Sequence, residues 1–485
     1  MMEASIKNEK VDGITPQTDV EIGPVIDPAR ERKLILKLDL FIAPVCTLIF
    51  LAAYLDRSNI GNAASAGMTK DLNMDGGQLG NAITLFYVLY VSAEVPCSLV
   101  LKKFHPSRLI PALMFCWSIV LIGMGFIQTA NQLYACRLLL GLFESGMFPC
   151  LALYLSTFYL PAEQAVRVSY LFVSAALSGS FGGLFAYALL KMDGVAGLEG
   201  WRWLYIIEGC VTVGISIAIV FLLPDNFESA YFLNEEDRVL MRIRADLNAR
   251  YNGKPDFEWR EVRKALTDMK LYISCWSQFW GDICLFGISS FLPLIIKGFG
   301  YDTVTTQLLT IPVFAWASAA YLFVSWLSDR YKRRYFFMVP AVLLSAVGYA
   351  VNLGVSEQNR GVLYFSTFLI APGIYIIVGI NCTWLLNSHA GYYKRATAIG
   401  MNQALGNTSG IVVGQIFKTT VNGKYLLGLS FSLGAVLLAG LGHMVLYFHF
   451  SRENRRRDGM DDEKREDEIL NGKGGDFHPD YRYAL

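Results

Sequence analysis

The stretch YLDRSNIGNA, Tyr54 to Ala63, closes an apolar run that begins at Leu40. An acid and a base, Asp56 and Arg57, stand side by side at the end of a segment otherwise built for hydrocarbon. The pair either marks the edge of a membrane span, where charges meet water, or lies within the span and faces a polar interior. The rest of the chain decides between them.

Composition narrows the class first. Of 485 residues, 54% are hydrophobic and only 17% charged, and mean hydropathy is +0.38. Soluble chains of this length carry far more charge, so these values describe a polytopic membrane protein. A net charge of +1 argues against a nucleic-acid binder. The nine cysteines all fall inside apolar runs, without zinc-ligand spacing and without loop positions that a disulfide would staple. No nucleophile elbow or phosphate loop is present, so no enzyme, metal or cofactor is expected.

A bilayer core of about 30 Å needs roughly 20 apolar residues per helix. Runs of that size begin near residues 40, 79, 109, 132, 166 and 201, and again near 271, 304, 336, 361, 396 and 425. The expected organisation is an all-α membrane protein with twelve transmembrane helices in two six-helix bundles, 39–223 and 271–450. A charged central loop, 224–270, separates them, and polar tails, 1–38 and 451–485, flank them. Placing both termini in the cytoplasm puts most lysines and arginines inside and leaves about 7 outside. NCT (Asn381–Thr383) and NTS (Asn407–Ser409) match the glycosylation pattern but lie within spans.

Charges inside a span cost at least about 2.5 kcal/mol each and are functional candidates by default. The candidates are Asp56, Arg57, Glu94, Arg137, Glu144, Glu208 and Asp282. In RLLLGLFESGMFPC (Arg137–Cys150), Arg137, Gly141 and Glu144 recur at i, i+4 and i+7, on one helix face. Two turns separate Arg137 from Glu144, so each needs a partner on another helix or on a ligand. Arg57 and Arg137 fall at similar depth on different spans. Two guanidinium groups there would grip an anion, with Asp56 neutralising one of them in the empty site. The interior reading of YLDRSNIGNA is therefore favoured. Glu94, in YVSAEVPCS, lies near the depth of Glu144 and is a candidate proton carrier, as are Asp56 and Asp282.

These residues also carry a resemblance. SWLSDRYKRR (Ser325–Arg334) is similar to the loop motif of the major facilitator superfamily, in which an Asp and basic residues latch helix ends. Asp329, Arg330, Arg333 and Arg334 are the matching gating positions. YLDRSNIGNA, RLLLGLFESGMFP, GWRWLYIIEG (Gly200–Gly209), NSHAGYYKRATAIGMNQALGNTSGI (Asn387–Ile411) and the ending HPDYRYAL resemble the fungal allantoate-permease-like branch of its anion:cation symporters. The resemblance implies two bundles rocking around a central site. It also implies proton-driven uptake of a small carboxylate such as allantoate, ureidosuccinate, nicotinate, pantothenate or biotin. Arg57 and Arg137 would face the anion, with Asn387 and Asn407 as further substrate-binding positions, and Glu144 would couple the proton. A monomer in the plasma membrane is expected, with no nucleic-acid partner. Two departures stand out: VLKKFHPSR (Val100–Arg108) lacks the acidic residue of the superfamily loop, and GSFGG (Gly179–Gly183) replaces the Gly-Pro-x-x-Gly-Gly signature of drug/proton antiporters. An exporter of a fungal metabolite is the alternative reading, and a non-transporting nutrient sensor a more remote one.

Overall fold

In a computed structural model the chain is described over residues 27–485, apart from 104, 253–258, 357, 391, 422–423 and 471–474. Residues 1–26 of the expected polar tail lie outside the described residues, as do parts of the central loop and of the final tail. What remains of the first tail is already helix, Pro28–Phe41, capped by the side chain of Asp27.

Ten helices among the described residues are long and apolar enough to cross a membrane. Two more fall between them in chain order, giving α1 (Ala43–Ser65), α2 (Gly76–Lys103), α3 (Pro106–Met124), α4 (Ala130–Phe158), α5 (Pro161–Leu189), α6 (Gly200–Leu222), α7 (Met269–Gly298), α8 (Thr303–Tyr331), α9 (Arg334–Gly354), α10 (Arg360–Ser388), α11 (Tyr392–Ile416) and α12 (Leu426–Asp458). A bilayer offers no water to backbone N–H and C=O groups, so each span closes its own hydrogen bonds. The starts follow ordinary capping chemistry. Thr129 and Gln132 form a reciprocal box at α4, and Asp268 and Asp302 cap α7 and α8. Ile119, Ile217, Phe323, Leu343 and Phe448 are exposed on the outside of the spans, an apolar girdle suited to lipid. Two spans are interrupted: α4 after Glu144, and α11 at Thr408, between Tyr392–Asn407 and Ser409–Ile416.

α1–α6 and α7–α12 form two halves, with the helix Pro28–Phe41, the described parts of the central loop and residues 475–485 at one end of the molecule, here the tail end. The loop is not featureless. Its helix Glu235–Asn252 is held to the first half, through Asp237 to Lys37 (2.7 Å) and Arg244 to Glu163 (2.5 Å). Its second helix, Trp259–Leu266, packs on the first stretch of α11, Tyr392–Asn407, in the second half.

At the opposite, far end the halves touch. A Cβ on Gly80 would fall 2.0 Å from the carbonyl oxygen of Gly414, so only glycine lets the backbones of α2 and α11 meet there. Around this contact Thr84 donates to the Ile411 carbonyl (3.1 Å). Gln307 donates to the Asn62 carbonyl (3.3 Å) and to Ser65 Oγ (2.7 Å), and Lys297 to the Ser65 carbonyl. At the tail end the described ion pairs stay within one half or join it to the loop, as in Arg167–Asp39 (2.5 Å) and Arg334–Asp329 (2.7 Å).

Candidate functional site

Arg57 lies in the second half of α1 and is 6% exposed. Tyr54 precedes it by three residues on the same helix face, and Phe86, Tyr87 and Tyr90 present one face of α2 toward it. Their ring centroids stand 4.8, 5.1, 6.0 and 4.6 Å from the guanidinium carbon, in the order Tyr54, Phe86, Tyr87, Tyr90. Ring faces stabilise a cation, the more so where water is excluded. α4 reaches this cluster because Gly141 has no side chain: a Cβ there would fall 2.1 Å from the Phe86 carbonyl oxygen.

Glu144 of α4 completes the cage. Arg57 Nη2 donates to Glu144 Oε2 at 3.4 Å, and Glu144 is fully buried. The contact is single and long. Among the described residues Glu144 Oε1 and Arg57 Nε have no hydrogen-bond partner. Arg167 shows what a committed fork looks like in this chain, gripping both oxygens of Asp39 at 2.8 and 2.5 Å. The Arg57–Glu144 pair thus keeps hydrogen-bonding capacity on both sides.

The other expected residues divide. Arg137 is 1% exposed, beside Tyr205 of α6, with Nε and Nη2 unpartnered among the described residues. Glu144 stands within electrostatic reach of both arginines, so the three belong to one polar centre. Asp56 does not pair with Arg57. Successive helix residues point about 100° apart, and Asp56 turns into the packing of α3 and α6. There it accepts from Trp117 Nε1 (3.1 Å) and the Thr212 hydroxyl (3.4 Å). The neutralising role expected of Asp56 falls to Glu144. Glu94 accepts from Asn407 Nδ2 (3.2 and 3.5 Å), a contact between the two halves. Asp282 accepts from Gln278 Nε2 (3.1 and 3.0 Å), whose Oε1 accepts from Asn381 (2.8 Å), forming an amide cluster in the second half.

Asn387 is not brought to this centre. It ends α10 at the tail end, where its carbonyl accepts from the Tyr481 hydroxyl. Of the loop motif, Asp329 pairs with Arg334, which also donates to Thr383 of α10 (3.2 Å). Arg330 and Arg333 lie over Trp326 and Phe336, 5.7 and 5.8 Å from the ring centroids. The described contacts of this motif therefore tie α8, α9 and α10 of one half together.

Sequence reasoning missed the four rings and the amide cluster. The rings left a signal, since Tyr54 stands one turn from Arg57 and FYVLY (Phe86–Tyr90) places three rings on one face. Gln278 and Asn381 left none, because an amide in a span reads as packing until the facing residue is known.

The sequence profile of the Major Facilitator Superfamily matches residues 46–415. An uncharacterized transporter of Schizosaccharomyces pombe is 45% identical, over 99% of this chain and 96% of its own length. The high-affinity nicotinic acid transporter of Saccharomyces cerevisiae is 34% identical, over 95% of this chain and 87% of its own. Among solved structures, a D-xylose-proton symporter superposes with a TM-score of 0.64 at 14% identity, covering 84% of this chain and 97% of that one.

Proposed function

The chain belongs to the Major Facilitator Superfamily and is a multi-pass membrane transporter, and from that premise we propose that it imports a small organic carboxylate of the nicotinate kind together with a proton. One observation carries the reading: Arg57 is buried among four aromatic rings and held by a single long contact to Glu144. A substrate carboxylate offers two oxygens to the fork where Glu144 offers one, so it competes for Arg57 on favourable terms. The rings around the guanidinium suit a flat, partly apolar acid. The similarity to a nicotinic acid transporter supports the same class.

The coupling follows from charge. While the site is empty, Glu144 neutralises Arg57. Once a substrate carboxylate takes the guanidinium, Glu144 loses that partner and gains a negative neighbour in a place with little water, with only Arg137 left to balance it, so its affinity for a proton rises. Anion and proton then travel together, and by linkage a bound proton also tightens substrate binding. Glu94, bridged to Asn407 across the halves, is the second proton-carrying candidate, ahead of Asp282 and Asp56. With both termini in the cytoplasm, as this reading requires, the far-end contact faces outward.

Glu144→Gln mimics the protonated form. Reconstituted in vesicles, it should exchange labelled nicotinate by counterflow yet fail to accumulate it when the external pH is lowered from 7.5 to 5. Accumulation with wild-type pH dependence would remove Glu144 from the coupling step.

A further inference from the structure

The end of the chain, residues 475–485, has no task in the transport cycle just described, yet it is folded into the protein. Asp476 is 1% exposed. Its carboxylate accepts from Lys270 Nζ (2.5 Å), from Lys394 Nζ (2.7 and 3.0 Å) and from the backbone N–H of Ala390 (3.2 Å). Each donor comes from a different place: Lys270 opens α7, Ala390 follows α10, and Lys394 opens α11. Asp268 is the other carboxylate here, 3.2 Å from Lys270 and 2.9 Å from Lys394. Without Asp476, two buried ammonium groups would share one acid, which is costly where water is scarce.

The remaining tail contacts reach α12 and α10. The Tyr483 ring stacks on Phe450 of α12, with centroids 4.5 Å apart and planes 10° apart. Arg457, also of α12, donates to the carbonyls of Tyr481 (2.6 Å) and Asp476 (3.0 Å). Trp384 of α10 donates to the Ala484 carbonyl (2.8 Å).

We infer that residues 475–485 are an intramolecular clamp that locks the tail ends of α7, α10, α11 and α12 into one block, and that this block is the lever that opens the far-end seal. The second part rests on the slackened turn of α11 at Thr408, where the backbone stays right-handed (φ −61°, ψ −23°) but the α-helical hydrogen bonding lapses to an i→i+3 bond from Ile411 N–H (3.1 Å). Its outer stretch, Ser409–Ile416, lies in the seal against α2, while its inner stretch, Tyr392–Asn407, is anchored through Lys394. A helix interrupted at Thr408 transmits motion from one end to the other only if its inner stretch is fixed to a rigid body. The clamp supplies that fixation. A loosened inner stretch would flex on its own, and the seal would open less often.

Hydrogen exchange on the full-length protein tests this without any substrate. In Asp476→Asn, amides of residues 392–407 should exchange at least about tenfold faster, a change of about 1.4 kcal/mol in local opening. Amides of residues 409–416 should exchange more slowly. General destabilisation would speed both stretches, and that outcome overturns the proposal, as does an unchanged rate at either stretch. Should Asp476→Asn fail to fold, Tyr483→Ala keeps the charges in balance while removing the stacked ring, and the same pair of opposite changes is required of it.

Discussion

Arg57 is held by π-faces and one carboxylate oxygen, and the role proposed for it draws on the planar fork as much as on its charge. Arg57→Lys keeps the charge and loses the second prong. Uptake of labelled nicotinate should show an apparent KM raised about tenfold or more, the equivalent of about 1.4 kcal/mol, with normal amounts of protein in the membrane. Unchanged kinetics would return Arg57 to a structural part. That Arg57, Arg137 and Glu144 lie buried inside the spans was legible in the sequence, because a charge inside an apolar run must find its partners away from water. The pairing was not. Arg57 and Glu144 are 87 positions apart, and no helical period links residues on different spans. Asp56 shows the reverse hazard: adjacency in sequence suggested a pair, while helix geometry sends the two side chains to different neighbours.

At the level of elements, the spans were readable because their length is set by the bilayer and not by the protein. The interruption of α11 was not readable, since Asn407, Thr408 and Ser409 look like a polar patch in an otherwise continuous helix. The loop helices escaped for another reason: Glu235–Asn252 and Trp259–Leu266 are highly charged and carry no apolar run, and they owe their place to partners such as Arg244–Glu163. The glycine contact between α2 and α11 leads to a prediction that belongs to this scale. Gly80→Val puts a branched side chain where a single Cβ already meets the Gly414 carbonyl at 2.0 Å, so the two helices must part. Hydrogen exchange at residues 409–416 should rise, and steady-state accumulation of labelled nicotinate should fall at unchanged expression. Faster exchange confined to α2 would show that the helix deforms locally and the seal holds.

Across the whole molecule, the two ends are built from different materials, and the tail end responds to acid. Asp476 is pushed up by burial but pulled down further by Lys270 and Lys394, to about 2. Its contribution is therefore fully present above the ordinary carboxylate range and is lost as pH falls toward 2. His389, just past α10, is held down to about 4 by burial and by the Lys270 charge. A lowered histidine stabilises the fold only while neutral, so its contribution is present above about 6.5 and is lost as pH falls from there toward 4. At pH 5 the loss is on the order of 2 kcal/mol, well before Asp476 begins to titrate. Limited proteolysis should cut the tail faster at pH 5 than at pH 7.5, and His389→Gln should flatten that difference. Equal cutting rates in the wild type at both pH values would show that His389 does not report on tail docking.

The meeting of Gly80 with Gly414 has a consequence of an electrical kind. A chain of water molecules conducts protons, and a membrane crossed by even a narrow aqueous thread loses its voltage whether or not cargo moves. Helix backbones in van der Waals contact leave no room for such a thread. Thr84 and Gln307 spend their donors on protein oxygens rather than on solvent. In the proposed cycle the far end then serves as an insulator as well as a gate, with the smallest side chain giving the tightest plug. A bulkier residue at position 80 should raise the resting proton conductance of the membrane even with no substrate present.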